Sequence, residues 1–338
     1  MSSDAITCPV EQWLRVTGVC CLALAAFTLA PSIVSAEETY PQRPVQLVAQ
    51  QPPGSQSEAI SRIWAECAAR ALGKPVVVVS KPGANGVLAA NYLKAQPADG
   101  YTLMTAGMSQ LTITPFVYRP APYDPINDFD GIAMLSTSPL LLVAGAPSGV
   151  RELSDLRGVA SQKAGGVNFG SPGKGSPAHL LTTAVLRQLR VEGTHVPYVG
   201  EAAGAKALVS GEIAIMTLTA GSAGPLIKMG RAVPLAIFAE SRDDAYPHVP
   251  TIVELTGDQS LALPGWLALV AKPGMPSSVT SLLREVTAKC VHTDIQYRLR
   301  LAQIQASPVD SGPDEVRAWT KRYIDRFKPL VEQLQIVE

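Results

Sequence analysis

The fold is decided by residues Leu47–Arg62, which read L-V-A-Q-Q-P-P-G-S-Q-S-E-A-I-S-R. An apolar run that begins at Val45 predicts a short buried strand, the Pro-Pro-Gly sequence ends it, and an amphipathic helical pattern starts directly behind Ser55. Ser55 and Glu58 have the spacing of a capping box, in which each side chain satisfies a free backbone N–H of the first helical turn. The simplest interpretation of both residues is therefore capping.

The same helix start is also a candidate anion site. Its first-turn N–H groups, near residues 55–57, have no intrahelical acceptor and point out of the helix at the positive end of its dipole. Such an end accepts a carboxylate or a phosphate without a cationic side chain. The sequence therefore predicts a strand, a tight loop and a helix whose end can bind an anion.

Composition narrows the class of protein. The 338 residues include 28 basic and 28 acidic side chains, and 47% of them are hydrophobic. These values predict one or two well-packed globular domains and not a disordered or fibrous chain. The neutral charge balance removes the usual electrostatic support for a nucleic-acid partner.

The first 36 residues have the pattern of a secretory signal peptide. The sequence is apolar and rich in small residues from Arg15 to Ala36, and it ends in Val34-Ser35-Ala36, which suits a signal peptidase. A membrane anchor is the alternative, but Pro31 interrupts the apolar stretch, which is short for a span of about 20 residues. We predict cleavage after Ala36 and a soluble product exported to the periplasm.

Two cysteines, Cys67 and Cys290, remain after this leader, and both lie in helical patterns. A chain of this size has enough core to fold without a staple, so two buried thiols and one disulfide both stay open. The four histidines are not spaced as metal ligands, and no C-x-x-C motif occurs. A metal site or a bound cofactor therefore has no support in the sequence.

Alternating strand and helix patterns predict an α/β fold in two lobes. The order from residue 40 to 138 is β-α-β-α-β, which implies parallel strands with right-handed crossovers. Within it, the all-apolar run Pro75–Val79 predicts a strand covered on both faces. Five further strands with interleaved helices follow, and the last helices have no strands of their own to cover. We predict two doubly wound lobes with a ligand cleft between them: 37–138 plus 267–338 form lobe 1, and 139–266 form lobe 2.

An exported α/β enzyme is an alternative to a protein that only holds a ligand in this cleft. The alternative depends on the loop Gly173–Ser176. Gly173-x-Gly175-x-x-Ala178 fits a dinucleotide fingerprint, but Glu192, about 20 residues on, precedes the next strand where a ribose-binding acid should end it. A hydrolase would pair Ser176 with His179. These two residues stand three apart at one helix start, and no G-x-S-x-G elbow occurs. Neither enzyme pattern is therefore complete in this sequence.

Seven short motifs occur in order along nearly the whole chain after the leader. They are Tyr40-Pro41-x-Arg43-Pro44, Pro52-Pro53-Gly54, Pro82-Gly83-Ala84-x-Gly86, Pro97-x-Asp99-Gly100-Tyr101-Thr102-Leu103, Tyr123-Asp124-Pro125-x-x-Asp128-Phe129, Gly170-Ser171-x-Gly173-x-Gly175-Ser176-x-x-His179-Leu180 and His195-Val196-Pro197-Tyr198-x-Gly200. In this order they resemble the periplasmic solute-binding receptors of tripartite tricarboxylate transporters, often called Bug-type receptors. Each motif alone is weak, but seven in register are a strong signal.

The resemblance implies a periplasmic binding protein type II-like fold, a clamp of two lobes that holds a ligand carboxylate. It also implies delivery of that small organic acid to a membrane permease. The loop after the first strand and the loop after Gly170 would face each other across the cleft. Carried over residue by residue, the ligand contacts would be Pro53, Gly54, Ser55, Ser171, Gly173 and Ser176.

The chain departs from the family pattern near these positions. Gln51 stands where the family commonly has Phe, Ser55 where it has Gly, and Glu58 where it has Asp; an Asp often found at the position of Leu218 is absent. We hypothesise that Gln51 selects the ligand, because its amide can pair with a polar group away from the anchored carboxylate. Lys174 is a candidate for binding a second acid group, although a solvated loop lysine is its simpler interpretation.

Overall fold

Two mixed β-sheets organise the chain. The computed structural model describes residues 40–162, 164–309 and 312–336, and the predicted signal peptide, residues 1–36, lies outside these described residues. The predicted α/β class is confirmed. No helix in the described ranges is long and apolar enough to cross a membrane.

The strands and helices alternate along most of the sequence. The strands are β1 Val45–Ala49, β2 Val76–Ser80, β3 Thr102–Gly107, β4 Asp130–Ser138, β5 Leu140–Gly145, β6 Val167–Ser171, β7 Gly193–Pro197, β8 Ile215–Thr219, β9 Ala232–Ile237, β10 Gly265–Ala271 and β11 Ser307–Pro308. The helices are α1 Gln56–Leu72, α2 Val87–Lys94, α3 Thr114–Val117, α4 Asp155–Ser161, α5 Pro177–Gln188, α6 Glu201–Ser210, α7 Ala220–Lys228, α8 Ile252–Thr256, α9 Ser277–Thr293, α10 Ile295–Gln303 and α11 Pro313–Gln333. A π-helical turn, Ser109–Ile113, precedes α3.

The first sheet has the strand order β11-β4-β10-β3-β1-β2 and the second has β7-β6-β8-β5-β9. As the sequence order predicts, β1 runs parallel to β2 and β3, and β6 runs parallel to β7 and β8. Each sheet also contains antiparallel pairs: β10 runs antiparallel to β3 and β4, and β5 runs antiparallel to β8 and β9. The chain passes from the first sheet to the second through Pro139 alone and returns between β9 and β10. The predicted lobe boundaries stay a prediction.

The strand β2 corrects one expectation. Its apolar sequence predicted a strand covered on both faces, but β2 is the outermost strand of the first sheet and pairs with β1 only. Val77, its second residue, keeps 49% of its surface exposed. The prediction was wrong because a run of valines shows that a segment suits a strand and does not show its place in the sheet.

The helices at the end of the chain pack on the first sheet. Cys67 in α1 forms a disulfide with Cys290 in α9, which decides between the two states that the sequence leaves open. Beside it, Trp64 Nε1 donates to Thr287 Oγ1 at 3.1 Å. Helix α1 is therefore joined to α9 by one covalent bond and one buried hydrogen bond.

Candidate functional site

A cavity of about 130 Å³, here called the main cavity, lies between the two sheets. The first sheet contributes the loop after β1, the turn after β3 and the neighbouring ends of β4 and β10. The second sheet contributes the starts of α5 and α6 and the end of β8. Loops that follow parallel strands meet at one edge of a sheet, which is where α/β proteins commonly bind ligands.

The start of α1 forms one wall of the main cavity. Ser55 has an extended backbone (φ −84°, ψ 153°), and its Oγ accepts a hydrogen bond from Glu58 N at 3.3 Å, so the predicted cap is present. The other half of the predicted capping box is wrong. Ser55 N donates to Pro52 O at 3.3 Å within the tight turn, and Glu58 instead pairs with Arg62 one helical turn later, at 2.5 Å.

Two backbone donors of α1 remain available at this end. Gln56 and Ser57 follow the cap, and N–H groups in the first two helical positions have no intrahelical acceptor. Both residues line the main cavity. The helix end therefore presents backbone N–H donors and the positive pole of a 17-residue helix to whatever the cavity holds.

The start of α5 forms a second wall with the same cap. Ser176 is extended (φ −73°, ψ 159°) and its Oγ accepts from His179 N at 3.3 Å, while Pro177 occupies the first helical position. Pro177 has no N–H, so Ala178 is left as the first-turn donor without an intrahelical acceptor. Ser176, Pro177 and Ala178 all line the main cavity.

The loop between β6 and α5 is held by its own hydrogen bonds. Ser171 is fully buried, and its Oγ donates to Gly173 O at 2.8 Å and lies 2.7 Å from His195 Nε2. Gly173 has a φ of 152°, and a Cβ there would lie 2.8 Å from Oδ1 of Asn85, so the position requires glycine. Asn85 Nδ2 donates to the carbonyl of Lys174, which joins a loop of the first sheet to a loop of the second.

The two histidines of this region stack on each other beneath the loop. The ring centroids of His179 and His195 are 3.6 Å apart with an angle of 12° between the rings. Burial, with the neighbouring His195 ring as a smaller cause, lowers the pKa of His179 to about 3. Burial, with nearby Lys174 as a smaller cause, lowers the pKa of His195 to about 4. Both rings are therefore neutral at pH 7.

These contacts weaken the hydrolase hypothesis. The hydroxyl of Ser176 bonds to the backbone N–H of His179, and the ring Nδ1 of His179 accepts from Gly175 N at 3.0 Å. A serine nucleophile needs the imidazole itself as its base. The pair that the sequence suggested is a helix cap with a ring that supports the loop.

The predicted contact residues are distributed over two cavities. Gln51, Ser55 and Ser176 line the main cavity. Gln51 also lines a second cavity of about 140 Å³, together with Gly173 and Lys174. Pro53 and Gly54 are exposed, and neither they nor Ser171 line either cavity. The ligand-binding role of all eight residues stays a prediction.

Glu201, at the start of α6, lines the main cavity and was missed in the sequence. Its carboxylate accepts hydrogen bonds from Thr219 N at 3.3 Å, Thr219 Oγ1 at 2.8 Å and Ser222 Oγ at 2.5 Å. Burial raises its pKa, and the hydrogen bonds from Ser222 and Thr219 oppose this rise in part. The available signal was its position directly after Gly200, at another helix start that follows a strand.

Four further residues that were missed carry polar atoms without a partner. Ser109 Oγ, Ser136 Oγ, Ser138 Oγ and Trp266 Nε1 are buried and make no hydrogen bond within the described chain. All four residues line the main cavity. A buried polar atom without a partner costs about 1–3 kcal/mol, so four of them around one cavity suit it to hold water or a polar ligand.

Comparisons with known proteins agree with this geometry. The family model TctC, described as "Tripartite tricarboxylate transporter family receptor", matches residues 60–336. The chain is 30% identical to Protein BugT of Bordetella pertussis over 299 residues, which are 88% of this chain and 90% of that protein. It is 32% identical to a UPF0065 protein of Bordetella bronchiseptica over 79% of this chain and 80% of that one.

Two solved structures of carboxylate complexes are similar in fold and in sequence. Rpa4515 of R. palustris with adipate has a TM-score of 0.81 and 27% identity, covering 87% of this chain and 97% of that chain. MatC of Rhodopseudomonas palustris with bound malate has a TM-score of 0.80 and 25% identity, covering 86% of this chain and 100% of that chain. The predicted resemblance to Bug-type receptors is confirmed, and the chain belongs to the tripartite tricarboxylate transporter receptor family.

Proposed function

We propose that this receptor captures a small organic acid in the main cavity and delivers it to a membrane permease of a tripartite transporter. The main support is that the starts of α1 and α5 line one cavity. Both are capped helix ends with free first-turn N–H groups. No lysine, arginine or histidine is among the described residues that line it. An anion in this cavity would therefore be held by backbone donors and helix dipoles. The adipate and malate of the two similar structures support a carboxylate as that anion.

The size of the cavity suits a small ligand. A cavity of about 150 Å³ in another protein holds benzene, so about 130 Å³ is enough for a molecule of similar size. The unpaired donors of the serines and of Trp266 would supply further hydrogen bonds to a carboxylate. Such bonds are worth more when the acceptor is charged.

Contacts that span the two sheets suit a clamp that closes on its ligand. The Asn85 side chain reaches the carbonyl of Lys174 at one side of the cavity. Elsewhere Tyr246 OH donates to Gln305 Oε1 at 2.8 Å, which joins the segment after β9 to the segment before β11. A ligand that contacts both sheets binds the closed arrangement more tightly than the open one and so favours closure.

The proposal also includes export to the periplasm and delivery of the ligand to a permease. The signal-peptide pattern and the family both support a periplasmic receptor. N-terminal sequencing of the exported protein should begin at Glu37, and a retained Met1 in the membrane fraction would contradict export. The family assignment favours a receptor over the rival exported enzyme, and turnover of a generic ester or an absorbing cofactor would reverse that preference.

The function is tested by a thermal-shift screen of mono- and dicarboxylates. A ligand at 100 times its dissociation constant stabilises the folded protein by about 2.7 kcal/mol, which corresponds to several degrees in Tm. Absence of a shift with every acid would contradict the proposal. The site is then tested with Ser176→Asp, which keeps an N-cap but puts a negative charge at the anion site.

We expect Ser176→Asp to weaken the best ligand by about 2 kcal/mol, roughly thirtyfold, through charge repulsion. Ser154→Asp is the matched control, because exposed Ser154 stands at the N-cap position of α4, outside the main cavity. Titration calorimetry of both variants gives the result. Equal affinity in the two variants would remove the start of α5 from the site.

A further inference from the structure

Glu201 is the one charged side chain among the described residues that line the main cavity. Its carboxylate accepts three hydrogen bonds, from Thr219 N, Thr219 Oγ1 and Ser222 Oγ, and a carboxylate has about four acceptor positions, so one is left for a ligand. No lysine or arginine is among the causes of its pKa shift, and burial raises that pKa. Burial therefore disfavours the charged form of Glu201, and a cationic group of a ligand would restore it.

Other groups around the cavity keep a donor without a partner among the described residues, including the hydroxyls of Ser136 and Ser138 and Trp266 Nε1. Trp266 Nε1 can only donate. Trp266 lies on β10, and the unpaired hydroxyls of Ser136 and Ser138 lie on β4, the strand that pairs with β10. Ser136, Ser138 and Trp266 are 1%, 4% and 5% exposed, so their side chains are almost entirely withdrawn from the outer surface. The main cavity thus combines several donors with a single acidic acceptor.

The parts of this arrangement are joined by short connections. Gly265 pairs with Ser138 in the first sheet, and Ser138 is followed by Pro139, whose carbonyl accepts from Ala220 N at 2.9 Å. Thr219, the residue before Ala220, donates to Glu201. A short series of contacts through the crossing at Pro139 therefore links Glu201 to Ser138.

We propose that the ligand is a zwitterion, whose carboxylate takes the first-turn N–H groups and the unpaired donors while its protonated amine binds Glu201. This inference rests on the proposed function and adds the chemical class of the ligand. An ammonium group has three donors and no acceptor, so it supplies what Glu201 lacks. A dicarboxylate would place a second negative charge in a cavity that already contains Glu201 and has no cationic side chain among its described lining residues.

The assignment separates this receptor from its two structural neighbours, whose structures contain adipate and malate. The hypothesis that Lys174 binds a second acid group also receives no support from the main cavity, since Lys174 lines the second cavity. A receptor with an acidic and no basic side chain in the described lining of its cavity selects against a second carboxylate.

The test uses three ligand series of equal chain length, from about four to six carbons: the ω-amino acid, the dicarboxylic acid and the simple monocarboxylic acid. For the best chain length, titration calorimetry of the wild-type protein should show that the amino acid binds about tenfold more tightly than the dicarboxylic or the monocarboxylic acid. Dicarboxylates that bind as tightly as the amino acids would overturn the inference and leave the proposed function standing. If none of the acids binds, both the inference and the proposed function are contradicted.

The role of Glu201 is tested with Glu201→Gln, which removes the charge at nearly constant shape. We expect the variant to lose the roughly tenfold preference for the amine and to bind the dicarboxylate more tightly than the wild type does. Glu240→Gln is the matched control, because Glu240 is exposed and does not line the main cavity. An unchanged preference in a folded Glu201→Gln protein would overturn the assignment. If that variant does not fold, the wild-type ranking alone decides.

Discussion

Helices α1 and α5 begin with the same kind of cap but are supported in different ways. Each has a buried serine cap that accepts from the third helical N–H, and each lines the main cavity. Helix α1 is tied to α9 by the disulfide Cys67–Cys290, whereas the loop before α5 rests on the stacked rings of His179 and His195. The cap geometry is therefore shared, but one helix is supported by a covalent bond and the other by two neutral imidazoles.

The largest effect should come from breaking the covalent support. We expect Cys67→Ser combined with Cys290→Ser to lower the free energy of unfolding by about 2–5 kcal/mol, because the disulfide closes a separation of 223 residues. Chemical denaturation measures the change, and reduced wild-type protein is the control that should approach the variant. Equal stability of oxidised and reduced wild-type protein would show that the buried contact between α1 and α9 suffices without the bond.

The second-largest effect is a loss of folding stability at low pH, and it concerns the support of the start of α5. The folded pKa values of His179 and His195, about 3 and about 4, lie below the ordinary value of 6.5. The unfolded chain therefore binds more protons once the pH falls below about 6.5, and stability decreases from there toward pH 4. Above that range the contribution of the two rings to stability is fully present.

His195→Gln separates this effect from general acid denaturation, because the amide can still bond to Ser171. His195 is partly solvated, so we discount its shift and expect the variant to lose about 1 kcal/mol less than the wild type between pH 7 and pH 4. The exposed His248 supplies the control substitution, His248→Gln. If the two variants show the same dependence of stability on pH, the stacked pair is not the acid-sensitive support.

Local patterns predicted the elements that carry these two helix ends. The cap at Ser55 follows from side chains that are close together in sequence, and the Ser-Pro start of α5 has the same local basis. These features depend on hydrogen bonds and periodicity within a few residues, which a single sequence contains. How well β2 is covered depends on its surroundings in the fold and is not local, and the prediction that both its faces are covered failed.

The polar lining of the main cavity could not be predicted in the same way. Ser109, Ser136, Ser138, Glu201 and Trp266 lie on the turn after β3, on β4, on α6 and on β10, and only the two sheets together bring them to one cavity. Each residue alone has an ordinary interpretation as a loop, strand or helix residue. Their significance comes from the missing hydrogen-bond partners of the serines and the tryptophan and from the missing counter-charge of Glu201, which no sequence pattern shows.

The smallest effect concerns Gln51, which lies beside the start of α1 and lines both cavities. Its side-chain amide makes no hydrogen bond to another residue of the described chain, so it is available to a ligand. We expect Gln51→Phe to weaken the best ligand by up to about 1 kcal/mol, the net value of one hydrogen bond to a neutral group. Titration calorimetry measures the loss.

A second substitution decides whether that loss reflects the hydrogen bond or the shape of the ring. Gln51→Met has a similar volume and length to glutamine but offers no amide, so it should weaken the ligand as much as Gln51→Phe if the hydrogen bond is the cause. A loss in Gln51→Phe alone would instead show that the ring obstructs the cavity. If neither variant changes the affinity, Gln51 does not select the ligand, and selection then depends on residues farther from the start of α1, with Glu201 the first candidate because it supplies the charge in the lining.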